Sequence, residues 1–427
     1  MINSEYKKVD ICCICNSSDL EQVLDLGKTP LANNLANTIN ESINQKNYNL
    51  GLLICRKCNH IQLNTEINKN ILFSQYSYKT GVSSSMFKHF ITFSNSLCNY
   101  FDKKKKSYKD IKVLDIGSND STLLDILSSK GFNTYGIEPA SNLATTSSHK
   151  IFNSFFDDEN IENIYKKFGL FDVITANNVF AHTRDLNAFV KNMRYLLKED
   201  GIISLEVQYL PILIKNCYID MIYHEHTSYH HYKPLDKLFR KYNLRLNSVY
   251  DIPTHGGSMR IILNNYSEDI VFFESNHKSQ DFINLDNIFD GQISNNFENL
   301  KTKTDDIRKS LNKLIRKIIK KYPLLYGYSA PAKTVTLLNL LDKDIIEKIE
   351  FIIEDNNLKQ GKYIPRTKIP LISSNQAIAK IKNKKSACII FAWNIFDELT
   401  KRIISNPKLN PNVLISPLPY PKTIQND

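Results

Sequence analysis

The sequence predicts an α/β protein in three parts: a small N-terminal metal-binding domain, a central doubly wound parallel-sheet domain, and a C-terminal domain of the same style. Three observations predict it. Cysteines pair as C-x-x-C twice within the first 60 residues, short apolar runs alternate with amphipathic stretches from about residue 109 to about 265, and the same rhythm resumes after Pro323. The expected boundaries are 1–70, a helical connector over 71–108, then 109–294 and 295–427.

In the central part, Ile111–Ile116 reads as a buried strand, followed by a helix over Ser121–Lys130 and a strand over Asn133–Ile137. Strands are expected at Phe171–Ala176 and Ile202–Val207 with a helix from Leu186 to Leu197 between them, then strands at Arg245–Asp251 and Met259–Leu263. A helix over about 295–321 carries the stripe Leu300, Ile307, Leu311, Leu314, Ile315 and Ile318, and Pro323 stops it. The last domain then needs strands at Leu324–Tyr328, Ile349–Ile353, Ala387–Phe391 and Val413–Ile415. Pro417, Pro419 and Pro421 mark an extended tail.

Composition excludes several classes. With 42% apolar and 23% charged residues the chain is too apolar to be disordered. It has no run of about 18 apolar residues, so no membrane partner is expected. Met1–Asp10 is polar and lacks the layout of a secretory signal, which points to the cytoplasm. The net charge of +11 permits anionic partners, but the lysines are scattered or sit on one helix face, so nucleic acid is not the expected partner. Lys103–Lys106 reads as a solvated helix end or loop. A monomer is expected.

Of eight cysteines, Cys12, Cys15, Cys55 and Cys58 form the two C-x-x-C pairs. In a cytosolic protein such pairs point to metal rather than disulfides, and four thiolates close a tetrahedral Zn²⁺ shell, making the ion structural. The intervening stretch, 16–54, is longer than in a compact zinc ribbon. Two unrelated thiol pairs, or an added role for Cys13, remain the alternatives.

Val113 to Asp120 ends a strand and opens a helix. A glycine at that junction, Gly117, lets a ligand approach the backbone. The next strand ends Tyr135-Gly136-Ile137-Glu138-Pro139, placing an acid 21 residues after Gly117, where a carboxylate meets ribose hydroxyls in nucleotide-binding sheets. The loop is not G-x-G-x-x-G, so a dinucleotide is disfavoured. Asp115, Gly117, Ser118 and Asn119 with a single glycine resemble class I S-adenosylmethionine methyltransferases. A non-binding sheet of the same topology is the alternative. Asn177 and Asn178 end the fourth strand, and Ser154 follows the third, near an adenine; all three join the cofactor set.

Tyr223-His224-Glu225-His226 gathers two imidazoles, a carboxylate and a phenol, and His182 lies just past the fourth strand. These groups move protons near neutral pH. The string is not H-E-x-x-H, so no zinc protease follows. For His224 a backbone hydrogen bond is the preferred reading; His226 and His182 are read as functional.

Together these pieces resemble the three-domain sugar C-methyltransferases, which methylate C3 of nucleotide-linked 4-keto-6-deoxysugars. The resemblance spans nearly the whole chain. It includes the cysteine pairs, Tyr76-Ser77-Tyr78, Gly117-Ser118-Asn119-Asp120, Ala176-Asn177-Asn178-Val179-Phe180-Ala181-His182, Tyr223-His224-Glu225-His226 and Thr254–Arg260. In the last domain it includes Tyr326–Lys333 and Phe391-Ala392-Trp393-Asn394. It implies a Rossmann-like C-terminal domain that binds the nucleotide sugar. Further implications are S-adenosylmethionine as methyl donor, His226 as base, Glu225 orienting it, and His182 or Tyr223 donating to the oxyanion. Tyr76, Tyr78, His182 and Lys333 are then expected on the substrate. Two departures stand out: Ser121 and Ser329 replace glycines of the family pattern. If position 121 needs a positive φ, serine costs roughly 1–2 kcal/mol there.

Competing readings are transfer to oxygen or nitrogen of a small molecule, an epimerase using the same enolate, and a zinc-knuckle RNA-binding or scaffold protein with a degenerate methyltransferase fold.

Overall fold

The computed structural model describes residues 5–265 and 279–425, so Met1–Ser4 of the polar N-terminus lie outside it. The chain forms two compact units. The first comprises Met1–Gln22, Leu52–Ile212 and Glu225–Ile293; the second comprises Val23–Gly51, Leu213–His224 and Ser294–Asp427.

The first unit is built on a seven-stranded sheet. Its strands are β1 (Lys112–Ile116), β2 (Asn133–Ile137), β3 (Lys150–Phe152), β4 (Phe171–Asn177), β5 (Leu197–Gln208), β6 (Arg245–Ile252) and β7 (Ser258–Asn264). Their spatial order is 6-7-5-4-1-2-3, with β7 antiparallel to β5 and to β6 and the other pairs parallel. The apolar runs exist because both faces are covered. Alternation sends Val113 and Val173 to one core, and Leu114, Ile116, Ile174 and Ala176 to the other.

Residues 71–108 include a helix, Ser84–Lys103, that closes one of these faces. Met86, Phe90, Phe93, Leu97, Tyr100 and Phe101 bury along it at helical spacing, and the Ser83 hydroxyl caps it by accepting from the Met86 amide. The expected helices appear at Thr122–Ser129 and Leu186–Leu196. Strand β3 lies directly before Asn153, where a third strand was expected without a span, because three residues are too short to show a period; the helices Ile161–Phe168 and Tyr232–Lys241 were not expected.

The second unit has a six-stranded sheet: β8 (Leu324–Tyr328), β9 (Ile349–Ile353), β10 (Leu371–Ile372), β11 (Ser386–Ile390), β12 (Val413–Ser416) and β13 (Lys422–Gln425). The order is 10-9-8-11-12-13, parallel except for the β12–β13 pair. The proline-marked tail therefore ends as an antiparallel edge strand. The helix Ile293–Lys321 buries Leu300, Ile307, Leu311, Ile315 and Ile318.

The two sheets repeat one device. The Gly117 amide donates to the Ile137 carbonyl at 2.7 Å, and the Glu138 carboxylate accepts from the Asn119 and Ala140 amides, both at 2.8 Å. In the second unit the Ser329 amide donates to the Ile353 carbonyl at 2.7 Å, and Glu354 accepts from the amides of Ala330 (2.8 Å) and Asn356 (2.9 Å). In both, the acid ending the second strand holds the loop that follows the first.

Candidate active site and zinc centre

The two cysteine pairs are matching knuckles. The Asn16 amide donates to the Cys12 carbonyl at 3.0 Å and the Asn59 amide to the Cys55 carbonyl at 2.8 Å, each asparagine at positive φ (59° and 61°). This geometry converges the four sulfurs to within 4.8 Å of one another, with Cys12–Cys58 at 3.6 Å and Cys15–Cys55 at 3.5 Å. Tetrahedral zinc with bonds of about 2.3 Å fits that spacing. The adjoining Cys58 thiol holds Cys12 down at about 5. Cys13 points elsewhere: its Sγ lies 3.5 Å from the Ser228 hydroxyl, and burial pushes it up to about 12.

The cofactor loop bends tightly beside β4. Gly117 has φ +68°, and a Cβ there would come within 2.5 Å of the Val179 side chain, so only glycine fits. Asn119 and Ser121 also take positive φ, 52° and 65°. A small cavity opens here, lined in part by Thr80, Asp115, Gly117, Ser118, Asn119 and Asn177. Asp115 accepts from the Thr175 hydroxyl at 2.6 Å; burial, with Glu138 nearby, lifts its carboxyl to about 7. The segment carrying Tyr78, Thr80 and Gly81 lies on the loop. The Asn119 side chain accepts from the Thr80 amide and donates to the Tyr78 carbonyl, and Asp120 accepts from the Gly81 amide.

The other expected cofactor residues divide. Glu138 and Pro139 adjoin the loop, and the Asn153 side chain ties them to the end of β3 by donating to the Glu138 carbonyl. The Ser154 hydroxyl donates to the Phe155 carbonyl. The Asn178 side chain reaches Glu206 at 3.4 Å, and its amide donates to the Glu206 carbonyl.

The residues expected to move protons assemble through Thr227. Its amide and hydroxyl both donate to the Ala181 carbonyl, at 2.8 and 3.1 Å, and the hydroxyl also reaches the Thr183 carbonyl. This draws the two strings together, so that the His182 and His226 rings stand perpendicular with centroids 4.9 Å apart. The Tyr76 hydroxyl donates to Glu225 at 3.1 Å. Glu225 and His226 are buried. Burial, and secondarily His255, hold His182 down at about 4, so its ring is neutral at pH 7; its buried Nδ1 has no hydrogen-bond partner among the described residues. Tyr223 and His224 precede these on the segment grouped with the second unit, where the His224 ring bonds the Asn49 carbonyl at 3.1 Å.

Sequence reasoning missed a buried charge network. Glu206 and Arg260 are register partners on β5 and β7, with direct contact between carboxylate and guanidinium. Glu206 also bonds His89 at 2.6 Å and the Thr254 hydroxyl at 2.7 Å, while Arg260 reaches the Asn177 side chain at 3.4 Å. Burial opposes ionisation of Glu206, but Arg260 and His89 outweigh it and hold the carboxyl well below the usual range. The available signal was one charge interrupting each of two apolar runs, Ile202–Val207 and Met259–Leu263.

The sheet order, glycine loop and paired acid define a class I S-adenosylmethionine-dependent methyltransferase that carries a structural zinc module. Family models match in series: a zinc-binding domain over residues 12–73, a methyltransferase domain over 91–249 and a C-methyltransferase C-terminal domain over 253–419. The chain is 27% identical over 430 residues to the C-methyltransferase NovU of Streptomyces niveus, covering 98% of this chain and 97% of that one. It is 31% identical over 104 residues to the mitochondrial ubiquinone biosynthesis O-methyltransferase of Bos taurus, covering 22% of this chain and 28% of the relative. Magnesium protoporphyrin IX methyltransferase from Synechocystis PCC 6803, solved with its cofactor, aligns with TM-score 0.31 at 12% identity over 42% of this chain and 80% of that one. The chain is thus similar, domain by domain, to zinc-binding and C-methyltransferase modules and, over nearly its whole length, to a C-methyltransferase.

Proposed function

We propose that the enzyme methylates C3 of a nucleotide-linked 4-keto-6-deoxysugar, with residues 295–427 holding the nucleotide sugar. The observation that carries this reading is the His182–His226 pair, 4.9 Å apart, with Glu225 bound by Tyr76. Methylation on carbon needs a carbon nucleophile, and a proton flanked by a ketone is the removable one. S-adenosylmethionine supplies an electrophilic methyl when bound to the Gly117 loop.

His226 takes the C3 proton, a step worth ~10²–10⁴ in rate. Glu225, held by Tyr76, orients the imidazole and stabilises its protonated form. His182 is neutral at pH 7, so it acts as a hydrogen-bond donor rather than a cation, and its ring N–H faces the charge developing on O4. Such a donor is worth ~10²–10³. The ends of β1 and β4 would hold the cofactor so that its methyl can be transferred to the carbon nucleophile, and the chain's part in that transfer is to align the two reactants.

The test is exchange of C3 hydrogen for solvent deuterium in a 4-keto nucleotide sugar without methyl donor. Wild type is expected to exchange, and His226→Ala to lose exchange. A panel of such sugars with labelled S-adenosylmethionine assigns the methyl position by mass spectrometry; label on a heteroatom overturns the reading.

A further inference from the structure

The C-terminal sheet reverses its winding between β8 and β11, the position where ligands enter sheets of this kind. Lys333 follows β8, and Trp393 and Asn394 follow β11. Lys333 is buried. Its Nζ donates to the Asn394 side chain at 2.6 Å and lies 4.3 Å from the centre of the Trp393 ring. That leaves two of the three ammonium N–H bonds without a hydrogen-bond acceptor among the described residues. A buried ammonium so poorly satisfied is costly unless something else completes it.

The counter-charge comes from far along the chain. Asp220, on the Leu213–His224 segment grouped with this unit, is fully buried. Its Oδ2 accepts from the Trp393 indole N–H at 2.5 Å and stands 3.9 Å from the Lys333 Nζ; its Oδ1 has no hydrogen-bond partner among the described residues. Burial pushes Lys333 down to about 8, and the Asp220 charge works against that fall. The charged groups of the neighbouring elements are engaged elsewhere. Glu354 and Lys359 bond the Ala330 amide and carbonyl, and Asp355 bonds the Tyr328 hydroxyl and Arg402.

We propose that Asp220 is the positioning residue at this end of the sheet: by its charge, and through Trp393, it holds the Lys333 ammonium in place with two N–H bonds left for a phosphate of the ligand. The role rests on the nucleotide-sugar reading above. Asp220 touches no ligand itself. It acts by keeping Lys333 protonated and aimed, as a buried carboxylate does for a lysine that bridges it to an anion.

Trp393 is the sole tryptophan of the chain, so its fluorescence reports the surroundings of Lys333 alone. The full-length protein is titrated with uridine diphosphate, thymidine diphosphate and, as the phosphate-free control, uridine, from pH 6.5 to 9.5. Wild type is expected to bind a diphosphate more tightly than uridine, the advantage fading above about pH 8. Asp220→Asn is expected to weaken diphosphate binding about tenfold at pH 7.5 and to move the fading to lower pH, leaving S-adenosylmethionine affinity unchanged. Lys333→Met abolishes the diphosphate advantage. Lys333→Arg keeps its charge and flattens the pH profile, which tests the assignment even if the aspartate variant fails to fold.

An Asp220→Asn protein with wild-type affinity and pH profile overturns the role of Asp220 and leaves the nucleotide reading standing. So does a Lys333→Arg protein that retains the wild-type fading. A wild type that binds neither diphosphate overturns both.

Discussion

Glu206 and Arg260 face each other across β5 and β7, both fully buried, and each directly contacts one of the two asparagines at the end of β4. A charge pair in this position bears on stability and also holds the end of β4, because Asn177 and Asn178 each touch one member.

Arg260→Met strands a buried carboxylate. The expected loss is about 3–5 kcal/mol in denaturant unfolding, with weaker S-adenosylmethionine binding as Asn177 loses its donor. The double variant Glu206→Met/Arg260→Met removes both charges and is expected to unfold at higher denaturant than Arg260→Met alone. Equal midpoints would show that the pair does not couple.

Ser121 sits at φ 65°, so the glycine of the family pattern was answering a real backbone demand. Its hydroxyl is 2.7 Å from that of Ser147, which offsets part of the strain. Ser121→Gly is expected to be more stable than Ser121→Ala by roughly 1–2 kcal/mol, since both lose the hydroxyl and only alanine keeps the left-handed penalty. Urea midpoints of the two variants decide it.

Purified protein is expected to carry one zinc per chain by elemental analysis. Cys58→Ser lowers that content and destabilises the N-terminal module, whereas Cys13→Ser retains full metal because the Cys13 sulfur faces Ser228. Metal loss in the Cys13 variant would show that the ligand set is different.

Burial depresses His182 and His224 to about 4 and His230 to about 3. Their unfolded values lie near 6.5, so between about pH 6.5 and 4 the unfolded chain binds protons that the folded one does not. Stability is expected to be full above pH 7 and to fall on acidification through that window. His224→Gln, which keeps an amide donor for the Asn49 carbonyl, should shallow the fall measured by urea unfolding at pH 7 and pH 5.

The fold was legible because parallel strands covered on both faces write themselves as apolar runs. Asn133–Ile137, Leu324–Tyr328 and Ile349–Ile353 match their expected spans, and the glycine and acid at the loop follow from where such strands end. The cysteine knuckles were legible because zinc dictates their spacing. Long-range partners were not. Nothing local to Asp220 points to Trp393, 173 residues away, and Glu206 and Arg260 meet only once β5 and β7 are paired. The likeness of the two loops was also hidden, because it resides in amide-to-carboxylate bonds, and the Ile-Glu pair that closes each one is too short a match to stand out.

The way the chain is threaded limits how this enzyme can be cut or recombined. It passes from one unit to the other after residues 22, 51, 212, 224 and 293. A fragment beginning at residue 294 lacks both Val23–Gly51 and Asp220, and a fragment ending at 293 carries two orphaned inserts. Exchange of the second unit between relatives by grafting must therefore transplant three separate stretches together; a single crossover at the long helix would yield mismatched halves.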